Sequence, residues 1–261
     1  MGDAGTVLAP WPGRIAGGRW RDADGREQQL ALTDAVNGNA IHGLLRTTAF
    51  TAIRLSPDAV RMAATVHPQA GYPFLIQVTV EYRVGADGLT VTHGFRNDGT
   101  GAAPVGVGAH PYVRLGDRDL DELSLLVEAD DALVTDARRI PVGVVPAASL
   151  GFTGQPVRVP DLPDDVVLTG FHPEDGLVRH RLVDTPSGEG LEVWAEPAFG
   201  WLQIYAPTQF PSTQGVRRAL ALEPMTCAPN AFNSGEGLRR LGPGESWSAS
   251  WGIRPLAASP L

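Results

Sequence analysis

The sequence contains two proton-exchanging side chains in similar local settings. Glu223 follows a short apolar run and His110 follows a glycine-containing segment, and each directly precedes a proline. Because proline biases the residue before it toward extended backbone, both side chains are expected at the ends of strands. A fixed carboxylate whose pKa is raised by its surroundings can act as a general base, and a fixed imidazole can donate a proton. Alone, a strand-end glutamate is more often a solvated surface residue.

The strand before His110 predicts how that ring is presented. Gly106 and Gly108 alternate along it, which leaves space on one face of a strand. Tyr112, two residues beyond His110, is expected on the same side of the chain. The segment lacks the Gly-x-Gly-x-x-Gly pattern and a following helix, so it does not predict a dinucleotide-binding loop.

Three further polar residues are candidates for binding a ligand. Arg14 follows a Pro-Gly turn and could present a planar hydrogen-bonding fork to a pocket. His42 is followed by Gly43, which permits a close backbone approach. Asp165 begins an apolar run. Taken singly, these residues are more often a surface arginine, a core histidine and a turn-capping aspartate than ligand-binding residues.

Composition excludes several classes of function. The net charge of −8 argues against a nucleic-acid partner, which needs a basic face. All 21 basic residues are arginine, so Schiff-base chemistry and the Walker phosphate loop, which both require lysine, are excluded. The single cysteine, Cys227, cannot form an internal disulfide or a cysteine metal cluster and is expected to be a small buried residue.

The arrangement of strands and turns predicts an all-β fold. Residues 75–84, 89–95, 190–194 and 201–205 alternate with the period of a strand, and the last two are expected to pair. The 31 glycines and 22 prolines are spaced as turns, with no repeat or linker. We therefore expect residues 1–261 to form one domain, a large, largely antiparallel sandwich. The absence of a secretory signal and of an apolar run of about 20 residues predicts a cytoplasmic protein without a membrane partner. The oligomeric state stays open.

Several motifs, in this order, resemble the aldose 1-epimerase (galactose mutarotase) family along nearly the whole chain. They are residues 10–19 (PWPGRIAGGR), 40–44 (AIHGL), 108–112 (GAHPY) and 223–227 (EPMTC). The resemblance implies a β-supersandwich with a sugar cleft. It also implies roles for individual residues: Glu223 as general base, His110 as general acid, and Arg14, His42 and Asp165 as ligands of the sugar hydroxyls.

The sequence departs from the family in two places. Leu168 replaces an aromatic residue in the motif that includes Asp165, and the adjacent Asp164 could be the sugar-binding acid in its place. Relatives also carry additional strands before the Trp-Pro stretch, so the chain is expected to be N-terminally short, with either a trimmed sheet or a different starting strand.

The implied activity is interconversion of the α and β anomers of a free hexose such as glucose or galactose. It requires a monosaccharide partner but no metal and no cofactor. The same residues would also fit a hexose-6-phosphate 1-epimerase, which would need a further cleft arginine, such as Arg46 or Arg217. They would fit a non-catalytic sugar-binding protein on the same scaffold, or a glycosidase that pairs Glu223 with Asp165.

Overall fold

A computed structural model describes residues 3–212 and 215–257, and nearly all of its regular structure is β-strand. In chain order the strands are β1 (Val7–Leu8), β2 (Arg14–Ile15), β3 (Arg19–Arg21), β4 (Glu27–Gln29), β5 (Ala40–Ile41), β6 (Thr51–Ser56), β7 (Ala59–Val66), β8 (Ile76–Gly85), β9 (Gly88–Asn97), β10 (Ala103–Val105), β11 (Gly108–Ala109), β12 (Ser124–Leu126), β13 (Asp131–Thr135), β14 (Pro141–Pro146), β15 (Val157–Arg158), β16 (Asp165–Thr169), β17 (Val178–Val183), β18 (Gly190–Ala195), β19 (Trp201–Tyr205), β20 (Phe210–Ser212), β21 (Gly215–Arg217), β22 (Ala221–Met225), β23 (Arg239–Leu241) and β24 (Ser246–Leu256).

Helices are few, as the sequence predicts. The described residues contain one short α-helix, α1 (Ala231–Ser234), and five 3-10 turns. The turns are Ala16–Gly18, Leu45–Thr47, Leu120–Glu122, Ala147–Leu150 and Val159–Asp161. None of these helical segments has the length and apolar character needed to cross a lipid bilayer.

Two large antiparallel sheets form the body of the structure. The first has seven strands in the order β1-β11-β22-β19-β16-β13-β14, and the second has nine in the order β15-β12-β17-β18-β24-β9-β8-β7-β6. Four two-stranded ladders complete the fold; one of them, β2-β5, matters for the site. The all-β antiparallel sandwich expected from the sequence is confirmed.

Alternation along the strands explains why the sheets pack together. Val166, Ile204 and Leu222 lie directly opposite one another on β16, β19 and β22, and all three are buried. They share one hydrophobic cluster with residues of the nine-stranded sheet, such as Val78 and Phe95. Successive side chains of a strand point to opposite faces, so the neighbours of the three buried residues point away from this core. That outer face of the seven-stranded sheet carries the candidate site.

The expected pairing of segments 190–194 and 201–205 is wrong. β18 lies between β17 and β24 in the nine-stranded sheet, whereas β19 lies between β16 and β22 in the other sheet. The chain crosses the sandwich between them. Alternation predicts which side chains of a strand are buried, but not which strand lies beside it.

Glu223 also differs from the expectation, because it lies in the middle of β22 and not at its end. Pro224 continues the strand opposite Leu202 of β19. On the other side, the amides of Leu222 and Thr226 donate to the carbonyls of Pro111 and Val107. Pro224 lies midway between Leu222 and Thr226 on this edge of the strand and has no amide hydrogen to donate. The strand therefore lacks one hydrogen bond at Pro224 and continues beyond it.

The open space predicted beside Gly106 and Gly108 is filled. A Cβ at Gly106 would overlap the sulfur of Cys227, and one at Gly108 would lie 2.9 Å from Cβ of Pro12. The amide of Gly106 donates to the carbonyl of Pro10 at 2.7 Å. The two glycines therefore allow the loop that contains Trp11 and Pro12 to pack directly on the segment that leads to His110.

Candidate active site

A cleft lies on the outer face of the seven-stranded sheet and encloses about 460 Å³. The five residues singled out in the sequence all line it, although they come from five separate segments of the chain. They are Arg14, His42, His110, Asp165 and Glu223.

The register of β11 against β22 brings the imidazole to the carboxylate. Gly108 pairs with Met225, and Tyr112 forms a bridge with Ala221. His110 therefore falls opposite Glu223 in the same row of side chains. Nε2 of the imidazole lies 3.1 Å from Oε1 of the carboxyl group, and both side chains are more than nine-tenths buried.

The Pro-Tyr sequence after His110 fixes the position of its ring. The rings of His110 and Tyr112 stack with their centroids 5.1 Å apart and their planes 22° apart. Tyr112 stands on the same side of the chain, as the sequence predicts, and contacts Phe210 on its far side. The stack limits rotation of the imidazole and helps to keep it beside Glu223.

His42 is carried over the sheet by the β2-β5 ladder and by an unusual backbone conformation. Its φ is +61°, and that of Gly43 is +72°. A Cβ on Gly43 would overlap the backbone of Ala9, so the close approach inferred from the sequence is present. The ring of His42 stands edge to face with that of His110, their centroids 5.8 Å apart. A positive φ at a non-glycine residue is strained, and here it aims a side chain into the cleft.

Arg14 pairs with Ile41 in the same ladder and is fixed by a carboxylate. Its Nε donates to Oδ2 of Asp34 at 2.7 Å, and Asn37 holds that carboxylate from the other side. The backbone amide of Asn230 donates to the carbonyl of Arg14 at 2.6 Å. The loop after Glu223 thus clamps the segment that carries the arginine.

Asp165 is the first residue of β16 and receives two short hydrogen bonds. Nε2 of Gln203 lies 2.6 Å from its Oδ1, and Nη1 of Arg139 lies 2.6 Å from its Oδ2. The neighbouring Asp164 is exposed and is absent from the cleft lining, so position favours Asp165 as the acid that a ligand would meet.

Sequence reasoning missed the residues that orient these side chains. Gln203 is the polar member of an otherwise apolar alternating strand, which is a usable signal. Asp34 and Asn37 flank a turn and look like ordinary turn residues. Arg139 and Asp3 also line the cleft, and nothing in their local sequence marks them.

Burial dominates the electrostatics of the acid–base pair. It raises the pKa of Glu223 well above its ordinary value, and the carboxylates of Asp165 and Asp3 raise it further, against a smaller opposing effect of Arg14. Burial lowers the pKa of His110, while Asp3 opposes that change. Both shifts disfavour the charged form of each group, so the neutral pair, with one proton between the two groups, gains over the charged states.

This result changes the expectation formed from ordinary pKa values. In water a histidine holds its proton more tightly than a glutamate, which would leave His110 charged and Glu223 ionised. Burial favours instead a neutral imidazole beside a protonated carboxyl group. The number of protons on the pair is the same in both forms, and the proton has only to cross the 3.1 Å between the two atoms.

His42 adds a second neutral imidazole to the pair. Burial lowers its pKa well below the ordinary value; His110, when it is protonated, and the positive charges of Arg14 and Arg46 lower it further. His42, His110 and Glu223 each offer a ligand atom, and these atoms lie within 4.8 Å of one another. The arrangement can exchange protons with a bound molecule, and its donor set also suits a divalent cation.

Comparison with known proteins places this geometry in a family. The model of the aldose 1-epimerase family matches residues 2–254. The chain is 33% identical over 234 residues to YihR of Escherichia coli (strain K12), a protein described as uncharacterized, and this match covers 88% of the chain and 72% of YihR.

Solved structures share the fold. The GalM/aldose epimerase homologue from C. elegans matches with a TM-score of 0.86 at 18% identity, covering 99% of this chain and 84% of its own. A galactose mutarotase-like protein from Clostridium acetobutylicum matches with a TM-score of 0.83 at 19% identity, covering 96% and 78%. Galactose 1-epimerase from Lactobacillus acidophilus NCFM matches with a TM-score of 0.74 at 18% identity, covering 98% and 81%. With its family model matched over nearly the whole chain, this protein belongs to the aldose 1-epimerase family.

Proposed function

We propose that this protein is a mutarotase that interconverts the α and β anomers of a free hexose, such as glucose or galactose. The observation that carries the proposal is the 3.1 Å contact between His110 and Glu223 in a cleft large enough for a sugar. A sugar-binding protein has no need of a buried proton-sharing pair, whereas ring opening needs an acid and a base on one substrate.

The mechanism begins with the proton on His110 and Glu223 ionised. Glu223 removes the proton from the anomeric hydroxyl, the bond from C1 to the ring oxygen breaks, and His110 protonates that oxygen. The open-chain aldehyde then lies beside a neutral imidazole and a protonated carboxyl group. Rotation about C1–C2 presents the other face of the aldehyde, and both proton transfers run in reverse to close the ring.

The pKa shifts support this sequence of steps. Burial favours the neutral form of the pair, which is the form present while the aldehyde exists. The hydroxyl and ring oxygen of the sugar are polar, so their arrival between the two groups reduces the cost of the charged form that starts the reaction. Each positioned proton donor or acceptor contributes roughly 10²–10⁴-fold, which is ample for a reaction that water already performs slowly.

The remaining cleft residues bind hydroxyl groups in this proposal. Arg14 and Asp165 present charged hydrogen-bonding groups that Asp34, Arg139 and Gln203 hold in place. His42 offers a ring nitrogen beside His110. Groups fixed before the ligand arrives lose little entropy on binding.

The charges of the cleft favour a neutral sugar over a hexose 6-phosphate. Arg14 and Arg139, which line the cleft, are each paired with a carboxylate. Of the arginines named from the sequence, Arg46 pairs with Asp3, and Arg217 lines a separate pocket that shares Tyr112 with the cleft. A phosphate dianion would have to displace these pairs.

Polarimetry of freshly dissolved α-D-glucose and α-D-galactose tests the proposal. We expect Glu223→Gln and His110→Asn to lose at least 100-fold of the catalysed rate, because each removes one proton-transfer group. His67→Asn, at an exposed histidine, should keep the full rate. Calorimetric binding of galactose by a wild-type protein that leaves the rate at background would establish a binding protein instead, and release of nitrophenol from aryl glycosides would establish a glycosidase.

A further inference from the structure

The three side chains at the deepest part of the cleft carry more ligand atoms than proton exchange uses. His110 Nε2 already contacts Glu223 Oε1, whereas Nδ1 of His110, Nδ1 of His42 and Oε2 of Glu223 are buried without a hydrogen-bond partner among the described residues. Buried polar atoms normally have partners. Three unpartnered atoms on three neighbouring side chains show that the hydrogen-bonding capacity of this cluster is not used up within the described part of the protein.

The spacing and chemistry of these groups match a divalent metal ion. His42, His110 and Glu223 each offer one nitrogen or carboxylate oxygen, and these three atoms lie within 4.8 Å of one another. In a tetrahedral zinc site with bonds of about 2.0–2.1 Å, the ligand atoms lie about 3.4 Å apart. Movements of the side chains by about 1 Å would therefore bring the three ligand atoms to this spacing. Two imidazoles with one carboxylate favour zinc, cobalt, nickel or copper over magnesium and calcium, which prefer oxygen ligands.

We propose that His42, His110 and Glu223 form a zinc-binding site that overlaps the acid–base pair, so that Zn²⁺ and the sugar compete for the cleft. Three protein ligands leave the fourth position of the ion open to the cleft, as in sites that bind a small molecule or water. The bound ion occupies the ligand atoms that proton transfer needs, and Zn²⁺ is therefore an inhibitor. The inhibition rests on the proposed function; the binding does not.

Charged groups of both signs surround the site and affect the affinity for a cation in opposite directions. The carboxylates of Asp3 and Asp165 face Glu223 and attract a cation, while Arg14 and Arg46 face the imidazoles and repel it. Ligation needs an ionised carboxylate and two neutral imidazoles.

Isothermal titration calorimetry of tag-free, EDTA-treated protein with Zn²⁺ tests the site directly. We expect one Zn²⁺ per chain and no binding of Mg²⁺ at the same concentrations. Galactose at saturation should weaken zinc binding at least tenfold. The absence of zinc binding, or zinc binding that galactose leaves unchanged in a protein that catalyses its mutarotation, would overturn the proposal.

Matched variants separate this site from adventitious surface binding. His42→Ala and Glu223→Gln should each lose at least tenfold in zinc affinity. His172→Ala is the control, because exposed His172 lies 3.0 Å from Asp130 and is the kind of surface pair that collects zinc. Full affinity in His42→Ala, or loss of affinity in His172→Ala alone, would place the metal elsewhere.

A measurement on the wild-type chain covers the case in which a variant does not fold. Co²⁺ in a site with imidazole and carboxylate ligands gives visible absorption bands whose intensity reports coordination number. We expect the intensity of these bands to fall when galactose is added, because the sugar displaces Co²⁺. Bands that galactose leaves unchanged would exclude overlap with the cleft. Cation binding in a protein that shows no mutarotation would reject the proposed function and leave the site standing.

Discussion

Gln203 links the two carboxyl groups of the cleft, because it pairs directly with Glu223 across β19 and β22 and donates to Asp165 at 2.6 Å. Gln203 lies in the row that contains His110 and Glu223, and its side chain reaches Asp165 in the next row, where Asp165 lies opposite Tyr205. The second hydrogen-bond donor to Asp165, Arg139, comes from the turn between β13 and β14. The proposed hydroxyl-binding acid is therefore positioned by the same strand that borders the base.

Loss of the Gln203 contact should weaken sugar binding more than it slows the chemistry. Gln203→Leu removes a hydrogen bond to a charged group, which contributes about 1.5–3 kcal/mol. We expect KM for galactose to rise roughly ten- to a hundredfold while kcat changes less than threefold. Steady-state polarimetry separates the two constants, and Gln77→Leu on the other sheet is the control. An unchanged KM would exclude Asp165 as a sugar ligand.

The pH dependence of kcat/KM should be bell-shaped, since only the singly protonated pair can react. The acid limb reflects the second protonation of the pair, which the lowered pKa of His110 moves below the ordinary histidine value. The alkaline limb reflects loss of the shared proton, which the raised pKa of Glu223 moves above the ordinary carboxyl value.

Two charge-removing variants should move the alkaline limb in opposite directions. The carboxylate of Asp165 raises the pKa of Glu223, so Asp165→Asn should shift the limb to lower pH. Arg14 lowers that pKa, so Arg14→Gln should shift the limb to higher pH. Shifts of the same sign in both variants would show that the limb belongs to another group. The measurement is kcat/KM across the pH range for each variant.

Two buried histidines outside the cleft predict acid destabilisation. Burial lowers the pKa of His93 to about 4 and that of His180 to about 3. The folded protein binds these protons more weakly than the unfolded chain, so stability is complete above the ordinary histidine pKa and is lost as the pH falls toward the folded values. At about pH 4.5 each neutral histidine costs about 3 kcal/mol.

Urea unfolding as a function of pH checks this dependence. Nδ1 of His180 has no hydrogen-bond partner among the described residues, and the ring packs edge to face on Phe171. His180→Leu should therefore fold and lose the part of the acid dependence that His180 contributes. The exposed His67→Leu should retain all of it. Equal pH dependence in wild type and His180→Leu would contradict the assignment.

Gly43 should be intolerant of any side chain. Gly43→Ala would place Cβ against the backbone of Ala9 and would strain a φ of +72°, so we expect a loss of more than about 3 kcal/mol in the free energy of unfolding. Gly25→Ala has a similar φ of +78° with no atom within 4 Å and should lose only about 1 kcal/mol. Chemical denaturation of both variants separates the effect of steric overlap with Ala9 from the effect of backbone strain. Equal losses in the free energy of unfolding would show that the contact with Ala9 is unimportant.

The sequence by itself determined the class of fold and marked the candidate site residues. Alternating strands and regularly spaced glycine and proline predict an antiparallel sandwich, because these patterns express local backbone preferences and the two faces of a strand. The resemblance marked Arg14, His42, His110, Asp165 and Glu223, and all five line one cleft; their roles stay predictions.

Only the tertiary structure decided how these residues meet. The partners of β18 and β19, and the continuation of β22 through Pro224, depend on contacts between segments far apart in the chain, which local sequence patterns do not encode. The protonation of the pair is decided in the same way. Glu223 and His110 would have ordinary pKa values in the isolated chain, and it is the removal of water by packing around them that raises the pKa of Glu223 and lowers that of His110.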